Sequence, residues 1–222
     1  RQRQMCIRDR VSTPTLSPRR RVAMTWVVWI TAVIAYGFAV MQRTSLGVMG
    51  LTAAAHFNAP ASVVATFMVL QLAIYAVLQI PAGITVDRLG SRVVITAGST
   101  VMAIGQVVMA LAGSVGGAVL ARLLVGCGDA FIFGAAIRLV PAWFPPKQTP
   151  LVTQLTGLLG QFGQVASAVG LVAMVNSNGW RSTYLLAAGG AAAAAVLAVL
   201  LIRDAPPAVA VSYTHLRAHE TS

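Results

Sequence analysis

The 222-residue chain is 57% hydrophobic and only 9% charged, where a soluble domain is roughly a quarter charged, so most of its surface must face lipid. A formal net charge of +11 invites a nucleic-acid partner, but the basic residues stand at the termini and between apolar runs. They do not line one face interleaved with aromatics, which excludes nucleic acid.

The two ends differ from the interior. Residues 1–10 and 212–222 carry neither a helical nor a strand period and resemble translated sequencing-adapter sequence. The expected division is therefore a non-native-looking or disordered N-terminus over 1–18, a six-helix transmembrane domain over 19–205, and a tail over 206–222 with a non-native-looking end. Cys6, His215, His219 and Glu220 thereby leave the functional candidates, and the native chain is expected to continue past residue 211. Cys127 lies inside an apolar run and reads as a small packing residue, so no disulfide framework or metal set is implied. Residues 11–211 hold eleven Lys/Arg and three Asp, a balance of +8.

Six apolar spans follow in chain order. The first covers about 22–45, opened by Arg19-Arg20-Arg21. The second covers 61–82 after the Asn58-Ala59-Pro60 turn, and the third covers 93–112, ended by Gly113 to Gly117. The fourth runs about 118–142 and closes at Trp143-Phe144-Pro145-Pro146-Lys147. The fifth runs about 151–175 and ends at Asn176 to Gly179; the sixth covers 182–202, stopped by Arg203-Asp204 and Pro206-Pro207. Each can cross a hydrocarbon layer of roughly 30 Å as a helix. Helices are required, because an open strand in lipid leaves backbone groups unpaired, and no ten-residue alternation suggests a barrel.

With the N-terminus inside, the inner segments hold Arg19, Arg20, Arg21, Arg88, Arg92, Lys147 and Arg203. The outer side holds Arg181, and Arg43 if it lies beyond the bilayer. The excess of basic residues places the N-terminus in the cytoplasm, as expected for a multi-pass protein of a bacterial inner membrane.

The turn between the second and third spans is Gly83-x-x-x-Asp87-Arg88-x-Gly90-x-Arg92. Gly83 and Asp87 stand one helical turn apart, and Gly90 can supply the left-handed residue that ends a helix. This spacing resembles the cytoplasmic loop signature of the major facilitator superfamily. Arg122-x-x-x-Gly126-x-Gly128 resembles a second element of that family, and Trp143-Phe144-Pro145-Pro146 resembles its fourth-to-fifth helix loop. The resemblance covers about residues 19–205 and implies the N-terminal half of a secondary transporter whose full chain has two such halves. It implies alternating access around a midplane site, a gating role for Gly83, Asp87, Arg88, Gly90 and Arg92, and no transport by this half alone. Drug–proton antiporters of the family usually carry a Gly-Pro pair in the fifth span. No proline occurs between 151 and 205, which counts against drug efflux.

Charges inside spans are costly, about 2.5–3.5 kcal/mol at a helix centre on insertion scales, and three residues carry that cost. Arg122 matches the family arginine associated with substrate binding or proton coupling; the alternative is snorkelling to the outer interface. Arg43, in Gln42-Arg43-Thr44-Ser45, either clamps an anion together with Arg122 or anchors at the outer interface. Asp129, seven residues after Arg122, is about 10 Å along the helix from it, too far for a direct pair. Asp129 is the natural candidate for proton coupling, with a structural hydrogen bond as the alternative. Arg138 is expected to snorkel to the cytoplasmic end.

Gly126 and Gly128 read as close helix packing. Gln71, Gln79, Gln106, Gln154, Gln161 and Gln164 either line a polar path or join helices, with Gln71 and Gln79 able to share a face. Gln71 joins Arg43 and Arg122 as a substrate-binding candidate. No nucleophile triad, metal cluster or phosphate loop is present, so neither an enzyme nor a cofactor is expected. The expected cargo is a small solute, an anion on the strength of the two arginines. Efflux of amphipathic compounds is the alternative within the class; a non-transporting six-helix channel or receptor subunit is the alternative outside it.

Overall fold

The computed structural model describes residues 18–206, and the expectations for the two chain ends fall outside that range. Among the described residues the chain is helical throughout, with no strand. The elements are α1 (Pro18–Val48), α2 (Gly50–His56), α3 (Ala61–Leu89), α4 (Ser91–Leu111), α5 (Val115–Trp143), α6 (Thr149–Ala166), a π-helical turn (Ser167–Leu171) and α7 (Val172–Leu201).

The last three elements form one uninterrupted run of 53 residues, Thr149–Leu201. At 1.5 Å per residue this is about 80 Å, far longer than one bilayer crossing. Gly179 resolves the conflict: its φ of 78° and ψ of 176° break the run into two crossings. With α1, α3, α4 and α5 the described residues thus make six. Their boundaries lie close to those read from apolar length except at α3, which continues from the expected 82 to Leu89 and takes Gly83, Asp87 and Arg88 of the expected turn into the helix. The sequence reading missed α2, a short helix placed between the first crossing and the Asn58–Pro60 turn. The proline absent from the fifth span is matched by a different irregularity, the π-helical turn at Ser167–Leu171.

α5 packs against α4 and α3, α4 against α7, and α1 against α6, α7 and α5. Small residues permit the closest approaches. A Cβ on Gly98 of α4 would lie 2.7 Å from the Gly128 carbonyl of α5, and one on Gly126 would lie 2.7 Å from the Gln71 carbonyl of α3. In lipid, where apolar side chains gain nothing by leaving water, such backbone proximity and interhelical hydrogen bonds drive association. Gly126 and Gly128 both lie at helix contacts.

Three apolar clusters succeed one another along the bundle. One, at the Asp87 end, includes Val86, Ile95, Leu139, Trp143 and Ile202. A middle cluster includes Tyr36, Val40, Met102, Val125 and Ile132. The third, at the opposite end, includes Leu46, Phe57, Phe67, Met109 and Trp180. Indole N–H groups tie neighbouring segments together: Trp29 donates to Thr156 Oγ1 at 2.8 Å, Trp143 to the Arg203 carbonyl at 2.8 Å, and Trp180 to the Met109 carbonyl at 3.1 Å. α3 is the least covered crossing, with Val69, Leu72, Val77 and Ile80 all exposed.

Candidate functional site

Arg43 of α1 and Asp129 of α5 are 86 residues apart in sequence and meet inside the bundle, Arg43 Nη1 donating to Asp129 Oδ2 at 3.1 Å. The partners differ in exposure: the Arg43 side chain is 22% exposed and that of Asp129 only 1%. Asp129 Oδ1 is also buried and has no hydrogen-bond partner. The carboxylate is therefore gripped by one oxygen and free at the other. The Arg43 guanidinium carbon lies 5.5 Å from the Tyr75 ring centroid of α3, within cation–π range. Gln71 Nε2, also from α3, donates to the Arg43 carbonyl at 3.2 Å.

Arg43 and Gln71 line a cavity of about 330 Å³ with Thr44, Met68, Leu72 and Gln164. A volume near 300 Å³ is at the lower end for sites holding a small organic molecule. The sequence reading placed Arg43, Gln71 and Arg122 together, but the structure brings only the first two to this cavity. Arg122 is 0% exposed, with Nη1 donating to the Gln42 carbonyl at 3.3 Å and to Ser45 Oγ at 3.2 Å, and Nη2 to Tyr184 Oη at 3.4 Å. It neither snorkels outward nor pairs with Asp129. Arg43 pairs with the acid Asp129 and is separated from Arg122, so the two arginines do not form one clamp in this structure.

The glutamines separate. Gln71 and Gln106 are buried at 3% and 0%, whereas Gln79, Gln154, Gln161 and Gln164 are exposed on the bundle surface. Gln71 and Gln79 therefore do not share an environment, despite their eight-residue spacing. The α3 surface turns far enough over two turns to carry Gln79 out of the contact with α5. Gln161 Nε2 donates to Tyr36 Oη at 3.4 Å, joining α6 to α1.

At the end of the bundle that carries the charged turn, Gly90 has a φ of 82°, the positive value expected of the residue closing α3. Asp87 accepts from Arg138 Nη1, tying α3 to α5, and both side chains are exposed at this end of the bundle. A second carboxylate joins this turn. Asp204, just after α7, accepts the Arg92 N–H at 2.9 Å, and the Arg92 guanidinium donates back to the Val199 carbonyl of α7. Sequence reasoning treated Asp204 only as part of a stop signal. The available clue was its rarity, as one of three acids in the core. Gly83 has open space around its Cβ position and makes no close approach. Arg88 closes α3 as the basic residue of its last turn.

The chain is similar in sequence and fold to known proteins. The sequence profile described as Major Facilitator Superfamily matches residues 28–216. Relatives include a probable sulfoacetate transporter of Cupriavidus necator, 23% identical over 132 residues, covering 60% of this chain and 31% of the relative. A probable L-galactonate transporter of Escherichia coli K12 is 23% identical over 175 residues, covering 79% and 38%. A hexuronate transporter of the same bacterium is 24% identical over 115 residues, covering 52% and 27%. The chain thus spans less than two-fifths of the length of these curated relatives.

A bacterial homologue of the human lysosomal transporter Spinster, solved inward-facing and occupied, superposes with a TM-score of 0.72 at 18% identity, over 86% of this chain and 46% of that one. A POT family transporter in complex with a peptide conjugate superposes at 0.66 with 17% identity, over 83% and 40%. With a profile match over most of its length and the same helix bundle in solved transporters, the chain belongs to the Major Facilitator Superfamily, a family of multi-pass membrane transporters rather than enzymes.

Proposed function

We propose that this chain forms the N-terminal six-helix half of a secondary transporter for a small organic anion, with Arg43 as the group that holds the anion. The observation that carries this reading is Arg43 itself. Its guanidinium is part-exposed on the 330 Å³ cavity, flanked by Gln71 and backed by Tyr75. A guanidinium in that position can present two parallel N–H groups to a carboxylate or sulfonate. The solutes in the names of the relatives, sulfoacetate, L-galactonate and hexuronates, are all organic acids.

Asp129 supplies the coupling in this reading. While ionised it occupies Arg43. Once protonated, with Oδ1 free to carry the proton, it releases the guanidinium to the incoming anion. One proton then enters with one negative charge, so the Arg43–Asp129 site is neutral before the proton and the anion enter and neutral again once both are bound.

A second six-helix half would close the cavity from the exposed side of α1, α3 and α6, and the pair would rock about the midplane. The limited share of the relatives' length that this chain spans supports such a partner. The Asp87–Arg138 and Arg92–Asp204 contacts, with Gly83, Arg88 and Gly90 around them, form the inner gate in this reading. The basic residues around that gate, from Arg19 to Arg203, support a cytoplasmic position for it in a bacterial inner membrane.

Uptake of a labelled hexuronate or galactonate by proteoliposomes holding the full-length gene product tests the reading. Replacing Arg43 by Gln removes a charged hydrogen-bond partner worth roughly 2 kcal/mol or more, so Vmax/KM should fall about 30-fold or further. Unchanged uptake by R43Q would overturn it. A groove of about 430 Å³ between α1 and α6, lined by Val33, Ile34, Phe38, Met41 and Phe162, favours a second reading, efflux of amphipathic compounds. Saturable export of a lipophilic cation by the same vesicles, with no organic-acid uptake, would select that reading.

A further inference from the structure

Arg122 is a buried cation without a counter-ion. No carboxylate lies within 4 Å of it among the described residues, and its acceptors are a carbonyl, a serine hydroxyl and a phenol. Its guanidinium carbon also lies 5.8 Å from the Tyr184 ring centroid. It is 0% exposed and is not among the residues lining the cavity that holds Arg43. A charge kept in such a place must act through what it touches, because leaving water without an ionic partner is costly.

The contacts of Arg122 converge on one short stretch of α1. Its two acceptors there, the Gln42 carbonyl and Ser45 Oγ, flank Arg43 on either side in sequence. The next carbonyl along, that of Arg43, accepts from Gln71 of α3. Two successive peptide carbonyls of α1 are thus held from outside the helix, one by α5 and one by α3. Seven residues further along α5, Asp129 takes the Arg43 side chain itself. Nη2 of Arg122 donates to Tyr184 of α7, and the buried Nε has no hydrogen-bond partner. The axial and rotational setting of α1 at Arg43 is therefore fixed from three helices.

We propose that Arg122 is a positioning residue for Arg43, holding the α1 backbone so that the Arg43 guanidinium meets the anion, and is not itself a ligand of the anion. The proposal rests on Arg43 being the anion ligand. A long side chain magnifies any rotation of its helix, and a displacement of about 1 Å at a binding group can cost on the order of 100-fold. Lysine would not replace Arg122, because its ammonium is a single point on a shorter stem, whereas Arg122 reaches α1 from Nη1 and Tyr184 from Nη2.

A double-mutant cycle on the full-length transporter in proteoliposomes tests this, with KM and Vmax for organic-acid uptake measured for wild type, R43Q, R122Q and R43Q/R122Q. The folded amount of each is checked by its thermal midpoint in detergent. R122Q alone should lower Vmax/KM by roughly 10- to 100-fold, mainly through KM. In the R43Q background the same change should cost less than about threefold, because its effect passes through Arg43. R122K should remain close to R122Q. Additive losses in the double mutant would make Arg122 an independent ligand and overturn the proposal, as would an unchanged KM in folded R122Q.

If R122Q does not fold, S45A and Y184F remove two acceptors and leave the arginine in place. They should raise KM in the wild-type background and not in R43Q, and an unchanged KM in both would overturn the proposal. R43Q without any effect would instead sink the underlying anion-ligand reading, an outcome distinct from additivity.

Discussion

Asp129 is held by one oxygen, and its partner is the arginine on the cavity. An asparagine there keeps the size and one acceptor but cannot exchange a proton. D129N proteoliposomes should therefore lose accumulation driven by a pH gradient while retaining solute exchange between the two sides. Wild-type uptake should rise as the outer pH falls, because the loaded state needs Asp129 protonated, and D129N uptake should be flat with pH. Accumulation by D129N that still follows the pH gradient would place the coupling proton elsewhere. The candidate residues were recognisable one at a time, since Arg43, Arg122 and Asp129 are charges inside apolar spans. Which of them meet was not recognisable, because the Arg43–Asp129 contact closes over 86 residues and depends on how α1 and α5 are rotated.

At the scale of elements, the junction of α3 and α4 combines a local demand with a remote one. Gly90 ends α3 with its N–H donating to the Val86 carbonyl, at a φ of 82° and a ψ of 161°. That demand is local, so a glycine in a charged turn announced it. The remote demand comes from the segment just after α7: a Cβ on Gly90 would stand 2.8 Å from the Asp204 carboxylate, which caps the first turn of α4. G90A should lower the thermal midpoint in detergent, at a cost of roughly 1–3 kcal/mol from backbone strain and a displaced cap. D204N keeps a hydrogen-bond acceptor and loses only the charge at a helix N-terminus, about 0.3–1 kcal/mol and sensitive to salt. A G90A midpoint at or above that of D204N would show that the junction tolerates a side chain. The break at Gly179 was similarly legible, because Asn176-Ser177-Asn178-Gly179 interrupts an apolar run too long to cross once. α2 was not, because its seven residues, Gly-Leu-Thr-Ala-Ala-Ala-His, carry no cap signal and follow the first crossing with little change of composition.

At the scale of the whole molecule, the uneven covering of the crossings is informative. In the most apolar stretch of α3 only 17% of the residues are buried within the bundle, against 56% for α4 and α5. α3 and α6 also carry glutamines on their open faces, Gln79, Gln161 and Gln164, which lipid alone would not favour. In the two-half reading, residues 19–205 reconstituted alone should bind to and fold in bilayers yet take up no organic acid. Co-expression with a second six-helix half from the same gene should restore saturable uptake. Saturable uptake by residues 19–205 alone would argue for a smaller working unit.

Composition and apolar run length were enough to determine a helical membrane protein with six crossings. The physical reason is that a chain in hydrocarbon must satisfy its backbone within each segment, which leaves little freedom of secondary structure. Motif spacing was enough to determine the family, because a tight charged turn and a glycine at a helix contact are local requirements. The tertiary structure alone decided that Arg43 faces the cavity and Arg122 does not, that Asp129 binds the former, and that Asp204 caps a helix 112 residues away. Those outcomes depend on the rotation of each helix about its own axis. That rotation is set by contacts such as Gly98–Gly128 and Gly126–Gln71, which no single segment contains.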